Sequence, residues 1–189
     1  MNQDRLKQEE DFITKKMIKY VDTAVTFAEF PDEISLCINL SLCPNHCEGC
    51  SEPYLAEDIG EVLTPNKLKE LIQQNPGITL VGFMGGDNDH EQLYQLAKYV
   101  KEVFHLKIGV YSGRDYLNIT LLEVVDYYKI GRWIMPQGDS SSWASTTCGP
   151  ITFPFSNQVM FKKDSNQLIN ITERFRERKI NDLSSYIKK

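Results

Sequence analysis

The sequence predicts an α/β domain, and three observations carry that expectation. Apolar residues alternate along "ISLCINLSL", so that Leu36, Ile38, Leu40 and Leu42 share one strand face while Cys37, Asn39 and Ser41 share the other. Helical periodicity governs "HEQLYQLAKYVKEVF", which places Leu93, Leu96, Ala97, Val100 and Phe104 on one face. Two short apolar runs, "ITLVGFM" and "LKIGVYS", bracket that helix as strands. Strands alternating with helices imply parallel pairing in a sheet covered by helices.

The remaining elements have their own signals. "LTPNKLKELIQQNPG" supplies Thr64 as N-cap, Pro65 at the first helical position and a Pro-Gly stop, which predicts a helix from Pro65 to about Gln74. "NITLLEVVDYYKIGRWIM" reads as a short helix followed by a fourth strand, with the boundary near Asp126. Residues 136–154 have the Ser, Thr, Gly and Pro content of a long loop, which carries Trp143 and Cys148. "NQVMFKK" and "LINITERF" flank "DSNQ" as a C-terminal β-hairpin. Residues 1–16 read as a polar arm, 17–175 as the domain and 176–189 as a charged tail.

A chain of 189 residues with 41% hydrophobic content can bury a core without disulfides. Its formal charge of −5 provides no field that draws nucleic acid or anionic lipid. The basic stretch "ERFRERK" interleaves acids with its bases and lacks an aromatic stacking platform. The apolar runs are too short for a membrane span, and "MNQDRLKQEEDFITKK" has no signal-peptide core. The expectation is a cytoplasmic protein with neither a nucleic-acid nor a membrane partner. In that compartment clustered cysteines serve as metal ligands or redox centres more often than as disulfides.

"LCPNHCEGCSE" gathers three of the five cysteines, Cys43, Cys47 and Cys50, in one short loop. Structural zinc wants four closed ligands, commonly two Cys-x2-Cys pairs, and only Cys47 with Cys50 forms such a pair. His46 would have to fold back on its own loop, Cys37 lies within a strand, and Cys148 reaches the site only if the long loop folds over it. A [4Fe-4S] cluster usually takes four thiolates, so three leave one iron open to a substrate. Spacing alone leaves zinc and the cluster both standing.

"CPNHCEGC" resembles the C-x3-C-x2-C signature of radical S-adenosylmethionine (radical SAM) enzymes. Gly49, "GGD" at Gly85 to Asp87, "VYSG" at Val110 to Gly113 and "SNQVMF" at Ser156 to Phe161 resemble, in the same order, the activating proteins of anaerobic (class III) ribonucleotide reductase. The resemblance spans about residues 17–175. It implies an incomplete TIM-like βα barrel of the radical SAM type, with one [4Fe-4S] cluster on Cys43, Cys47 and Cys50 and S-adenosylmethionine at its open iron.

Cofactor contacts are then expected from Gly49, Cys50, Ser51, Gly85, Gly86, Asp87 and Ser112, with Asp87 accepting from the methionine ammonium and Tyr111 or Ser112 near the adenosine. No catalytic side chain beyond cluster and cofactor is implied, and His90 and His105 read as a helix-start and a surface residue. The implied partners are the large catalytic subunit of the reductase, on which a glycyl radical is made, and a low-potential electron donor. Two alternatives remain, a radical SAM enzyme acting on a small molecule and a non-catalytic zinc- or cluster-binding module. The chain departs from the pattern at Leu42, where relatives commonly place glycine before the first cysteine, at "FAEFPDE", and at Trp133 in "IGRWIM".

Overall fold

The structure, a computed structural model, describes residues 17–134, 147–148, 151–152, 157–165 and 167–175. The arm at 1–16, the tail at 176–189, Ser156 of "SNQVMF", Trp143 and most of the 136–154 loop lie outside the described residues. The strands are β1 (Lys19–Thr26), β2 (Ser35–Leu40), β3 (Glu61–Val62), β4 (Leu80–Met84), β5 (Lys107–Tyr111), β6 (Tyr127–Ile130), β7 (Thr147–Cys148), β8 (Ile151–Thr152), β9 (Val159–Asp164) and β10 (Gln167–Asn170). Two α-helices accompany them among the described residues, α1 (Pro65–Gln74) and α2 (His90–Phe104). Neither is long and apolar enough to cross a membrane.

Eight strands form one open sheet in the order β10-β9-β6-β5-β4-β2-β1-β3, while β7 pairs with β8 alone. Strands β2, β4, β5 and β6 are parallel to one another. The expected incomplete TIM-like βα barrel is not what this chain builds. Even part of such a barrel repeats parallel strand and helix throughout. Here β5 reaches β6 through a short 3-10 turn, Leu121–Glu123, and the sheet is extended by antiparallel strands, β1 and β3 on one side and β9 and β10 on the other. The sequence holds little signal for β1 because none of its residues is fully buried, which removes the in-out alternation that marks a half-buried strand. The C-terminal hairpin is present as β9 and β10, and it joins the main sheet through β6.

Both helices lie on one sheet face. Thr64 caps α1 by accepting from the Lys67 amide at 3.1 Å, and Asp89 caps α2 by accepting from the Gln92 amide at 2.9 Å. Their apolar stripes, Leu68, Leu71 and Ile72 from α1 and Leu93, Leu96, Ala97 and Val100 from α2, pack on Leu36, Ile38, Val81, Phe83, Ile108 and Val110.

The opposite face is built differently. Gly82 of β4 and Gly109 of β5 are register partners, and a Cβ on them would come within 2.5 and 2.3 Å of the Phe30 ring. The two glycines make the gap that seats Phe30, which also contacts Tyr111 and Tyr127 at ring-centroid distances of 5.0 and 5.8 Å. Phe30 thus plugs part of this face and leaves the carboxyl ends of the parallel strands open.

Candidate functional site

In open α/β sheets, ligands collect at the carboxyl ends of the parallel strands. The cysteine loop leaves β2 at that edge. Its path is fixed by backbone bonds from Leu42 N–H to Glu57 O at 3.2 Å and from Cys43 N–H to Leu55 O at 2.9 Å, and the Ser41 hydroxyl donates to Ile59 O at 2.7 Å. Leu42 takes a left-handed φ of +59°. The chain therefore keeps the turn that glycine would make easily, at a cost of roughly 1–2 kcal/mol for a residue with a Cβ. His46 and Gly49 also have positive φ, so the loop turns at three left-handed positions.

Cys43, Cys47 and Cys50 are free and half-buried, and all three line a cavity of about 870 Å³. Burial raises the Cys47 thiol pKa, with a backbone N–H bond from Trp133 opposing it. Among the described residues no three His, Cys, Asp or Glu side chains converge on a point where they could hold one metal ion, as tetrahedral zinc requires. A cubane makes a different demand, since each thiolate takes its own iron and the sulfurs must border a space. All three thiols line one cavity. Trp133 lines the same cavity, and its buried indole N–H has no hydrogen-bond partner among the described residues.

Across the rim, Asp87 follows the turn at Gly85 and Gly86, whose φ values are +118° and +98°. Its buried carboxylate accepts from Ser112 Oγ at 2.6 Å and His90 Nε2 at 3.3 Å on Oδ1, and from the Gly113 amide and Asn45 Nδ2, each at 2.8 Å, on Oδ2. All four acceptor positions are occupied, so a further donor reaches Asp87 only by displacing one of these. Asn118 fixes the histidine. Its Oδ1 accepts from the Thr120 and Leu121 amides, so its Nδ2 must donate to His90 Nδ1 at 2.9 Å, which leaves the proton of neutral His90 on Nε2, facing Asp87.

The cavity floor carries a second polar group. The Tyr111 hydroxyl meets Glu29 at both its backbone oxygen, 2.7 Å, and its carboxylate, 2.9 Å, while the Lys129 ammonium stands 4.0 Å from the centre of the Tyr111 ring. Burial lowers the Lys129 pKa to about 8 against the pull of Glu29 and Cys50. Cys37 also lines the floor, and its thiol pKa is pushed up to about 12 by burial and by Glu29.

Of the residues singled out from sequence, Cys43, Cys47, Cys50, Ser51, Gly85, Asp87 and Ser112 all line this cavity. Gly49 and Gly86 do not. Gly49 is exposed in the loop, and a Cβ on Gly86 would come within 2.8 Å of Leu93, so its missing side chain makes room for α2. His90 begins α2, as expected, and joins the Asp87 network; His105 caps its far end in the left-handed region. Asn45, Glu29 and Lys129 were not singled out. Asn45 could have been found only as one of three polar residues inside the cysteine motif and Lys129 by alternation in "YYKI", whereas nothing in the sequence marks Glu29.

The profile of the 4Fe-4S single cluster domain family matches residues 34–141. The chain belongs to that family. The matched segment covers more than half the sequence and includes the cysteine loop, Asp87, Ser112 and Lys129. Comparisons with curated proteins and with solved structures return no match. A 4Fe-4S single cluster domain settles the choice between zinc and an iron–sulfur cluster that the spacing left open, in favour of the cluster.

Proposed function

We propose that this 4Fe-4S single cluster domain protein is a radical SAM activase that generates a glycyl radical on the large catalytic subunit of an anaerobic ribonucleoside-triphosphate reductase. The observation that supports this reading is the set of three thiols, Cys43, Cys47 and Cys50, bordering one cavity. The other described cysteine there, Cys37, is held protonated within β2 and is a poor candidate for a fourth thiolate. Three protein thiolates leave one iron of a cubane free for a small molecule. Held by these thiolates, a cluster would supply the one electron needed to cleave the S–C5′ bond of S-adenosylmethionine reductively, the chemistry by which hydrogen would be taken from a glycine Cα.

The chain's own residues bind and orient. Gly85 lets the β4 end approach the cofactor closely, Ser51 and Ser112 offer hydroxyls from two sides, and Asp87 serves the methionine ammonium by exchanging one of its present donors. The Lys129 ammonium supplies a positive charge beneath them for a carboxylate. Reduction requires a low-potential electron donor as a second partner.

Anaerobic reconstitution with iron and sulfide, then reduction with S-adenosylmethionine, is expected to yield 5′-deoxyadenosine, and adding the reductase to yield its glycyl radical in the paramagnetic resonance spectrum. Cys43→Ala, Cys47→Ala and Cys50→Ala should each abolish cleavage, and Cys148→Ala should keep most of it. A cluster-loaded protein that leaves the cofactor intact would overturn the reading. The polar floor of Glu29, Tyr111 and Lys129 favours one other reading, a small-molecule hydrogen donor, for which turnover proceeds without the reductase.

A further inference from the structure

We infer that Asn45, the middle of the three residues between the first two cysteines of the loop, is a hydrogen-bonding residue that raises the reduction potential of the cluster. It does so by holding one amide N–H on the Cys43 sulfur while Asp87 and Gly113 lock the amide in place. The inference rests on Cys43 being an iron ligand, and not on any chemistry of the sulfonium cofactor.

A carboxylate can only accept, so the short contact between Asn45 and Asp87 Oδ2, 2.8 Å, must be made by the Asn45 NH2 group. That assignment fixes which end of the amide faces the thiol. The same nitrogen lies 3.8 Å from Cys43 Sγ, within reach of a sulfur acceptor, and its second hydrogen is the one left to point there. One NH2 group therefore bridges a buried carboxylate and a cluster-loop sulfur.

The third contact is steric. A Cβ on Gly113 would fall 2.2 Å from Asn45 Nδ2 and 2.8 Å from its Cγ, so the amide packs against Gly113 in a space that only glycine leaves. The Gly113 amide donates to the same Asp87 oxygen, which holds both sides of the slot on one anchor. Asp87 is in turn bound by Ser112 and His90. "GGD" after β4 and "VYSG" at the end of β5 thus meet at one task, clamping the cysteine loop through Asn45.

The sign follows from electrostatics. Reduction adds negative charge to the cluster and its thiolates, so a donor on sulfur stabilises the reduced state more than the oxidised one and raises the potential. Removing the donor lowers it.

The test is a potentiometric titration of reconstituted full-length protein, read by paramagnetic resonance, with iron and sulfide content measured on the same samples. Asn45→Ala is expected to load wild-type iron and to shift the midpoint to lower potential. Gly113→Ala should do the same, since its methyl group evicts the amide while keeping the backbone donor to Asp87. In the Asn45→Ala background, Gly113→Ala should add no further shift, because both act through one contact. A wild-type midpoint in iron-loaded Asn45→Ala overturns the inference, as does a full Gly113→Ala shift in the Asn45→Ala background. Loss of iron in both single variants also overturns it, in favour of a clamp that only shapes the loop. Cys43→Ala separates this from the ligand assignment: a cluster with unchanged iron content and spectrum there removes Cys43 as ligand, whatever Asn45 does.

Discussion

The two faces of the four parallel strands differ in what their side chains are asked to do. On the helix side, β2, β4 and β5 present Leu36, Ile38, Val81, Phe83, Ile108 and Val110, all essentially without solvent exposure. One residue further along the same strands, the other face presents Cys37, Asn39, Gly82, Met84, Gly109 and Tyr111, a mixture of small, polar and aromatic groups that seat Phe30 or line the cavity. Alternation along a strand lets one backbone carry both jobs, since neighbouring side chains never share a face. The larger buried cluster lies on the first face, while the second combines a smaller one around Phe30, Leu80 and Tyr127 with the polar lining of the cavity.

The largest effect expected of that division is on adjacent residues of β4. Phe83→Ala should destabilise the fold by about 3–5 kcal/mol, the cost of a large cavity in packed surroundings. Met84→Ala, at a half-buried cavity position, should cost about 1 kcal/mol or less. Urea unfolding of the two variants measures the contrast, and equal losses would show that the cavity face contributes as much as the core.

An intermediate effect sharpens the comparison within the second face. Gly109→Ala puts a methyl group where the Phe30 ring stands 2.3 Å away, overpacking that should cost about 1–3 kcal/mol. A smaller residue should relieve it, so Gly109→Ala is expected to be milder in a Phe30→Leu background, as a double-mutant cycle would report. If the cost is the same in both backgrounds, Phe30 is not what the glycines accommodate.

The same division explains what the sequence made legible. Helix 65–74 could be read from its cap and its Pro-Gly stop, helix 90–104 from its one-sided apolar stripe, and β2, β4 and β5 because their apolar residues recur. The parallel core followed from that alternation. The mixed sheet did not, because an incomplete βα barrel was inferred from likeness at the cysteine loop and a few short motifs, and such local residues carry no information on how distant edges pair. On the cavity face, Asp87 and Ser112 were readable as polar residues at strand ends. Glu29 was not, since it reaches the site from the β1–β2 connection by a contact with Tyr111 that spans 82 residues of chain. Asn45 was hidden differently: the cysteines around it drew attention to sulfur, while its role depends on Asp87 and Gly113, which arrive from two other strands.

The smallest expected effect is a pH dependence that belongs to the cavity face alone. The Cys37 thiol has its pKa raised from 9.0 to about 12, chiefly by burial and secondarily by Glu29. Below pH 9 both folded and unfolded chains keep the proton, so the group leaves stability unchanged. Between about 9 and 12 only the unfolded chain gives it up, which favours unfolding by up to about 1.4 kcal/mol per pH unit. Lys129 contributes with the opposite sign from about pH 8 upward, because there the folded chain has shed a proton that the unfolded chain still holds. The informative quantity is therefore the difference between wild type and Cys37→Ala, measured by denaturant unfolding of the metal-free protein from pH 8 to 10. Cys37→Ala should be destabilised at pH 8 by its lost packing beside Gly82 and Phe30, and the gap should narrow as pH passes 9. A gap that stays constant across that range would mean that the Cys37 thiol ionises as readily in the folded chain as in the unfolded one, and that the floor of the cavity is open to water.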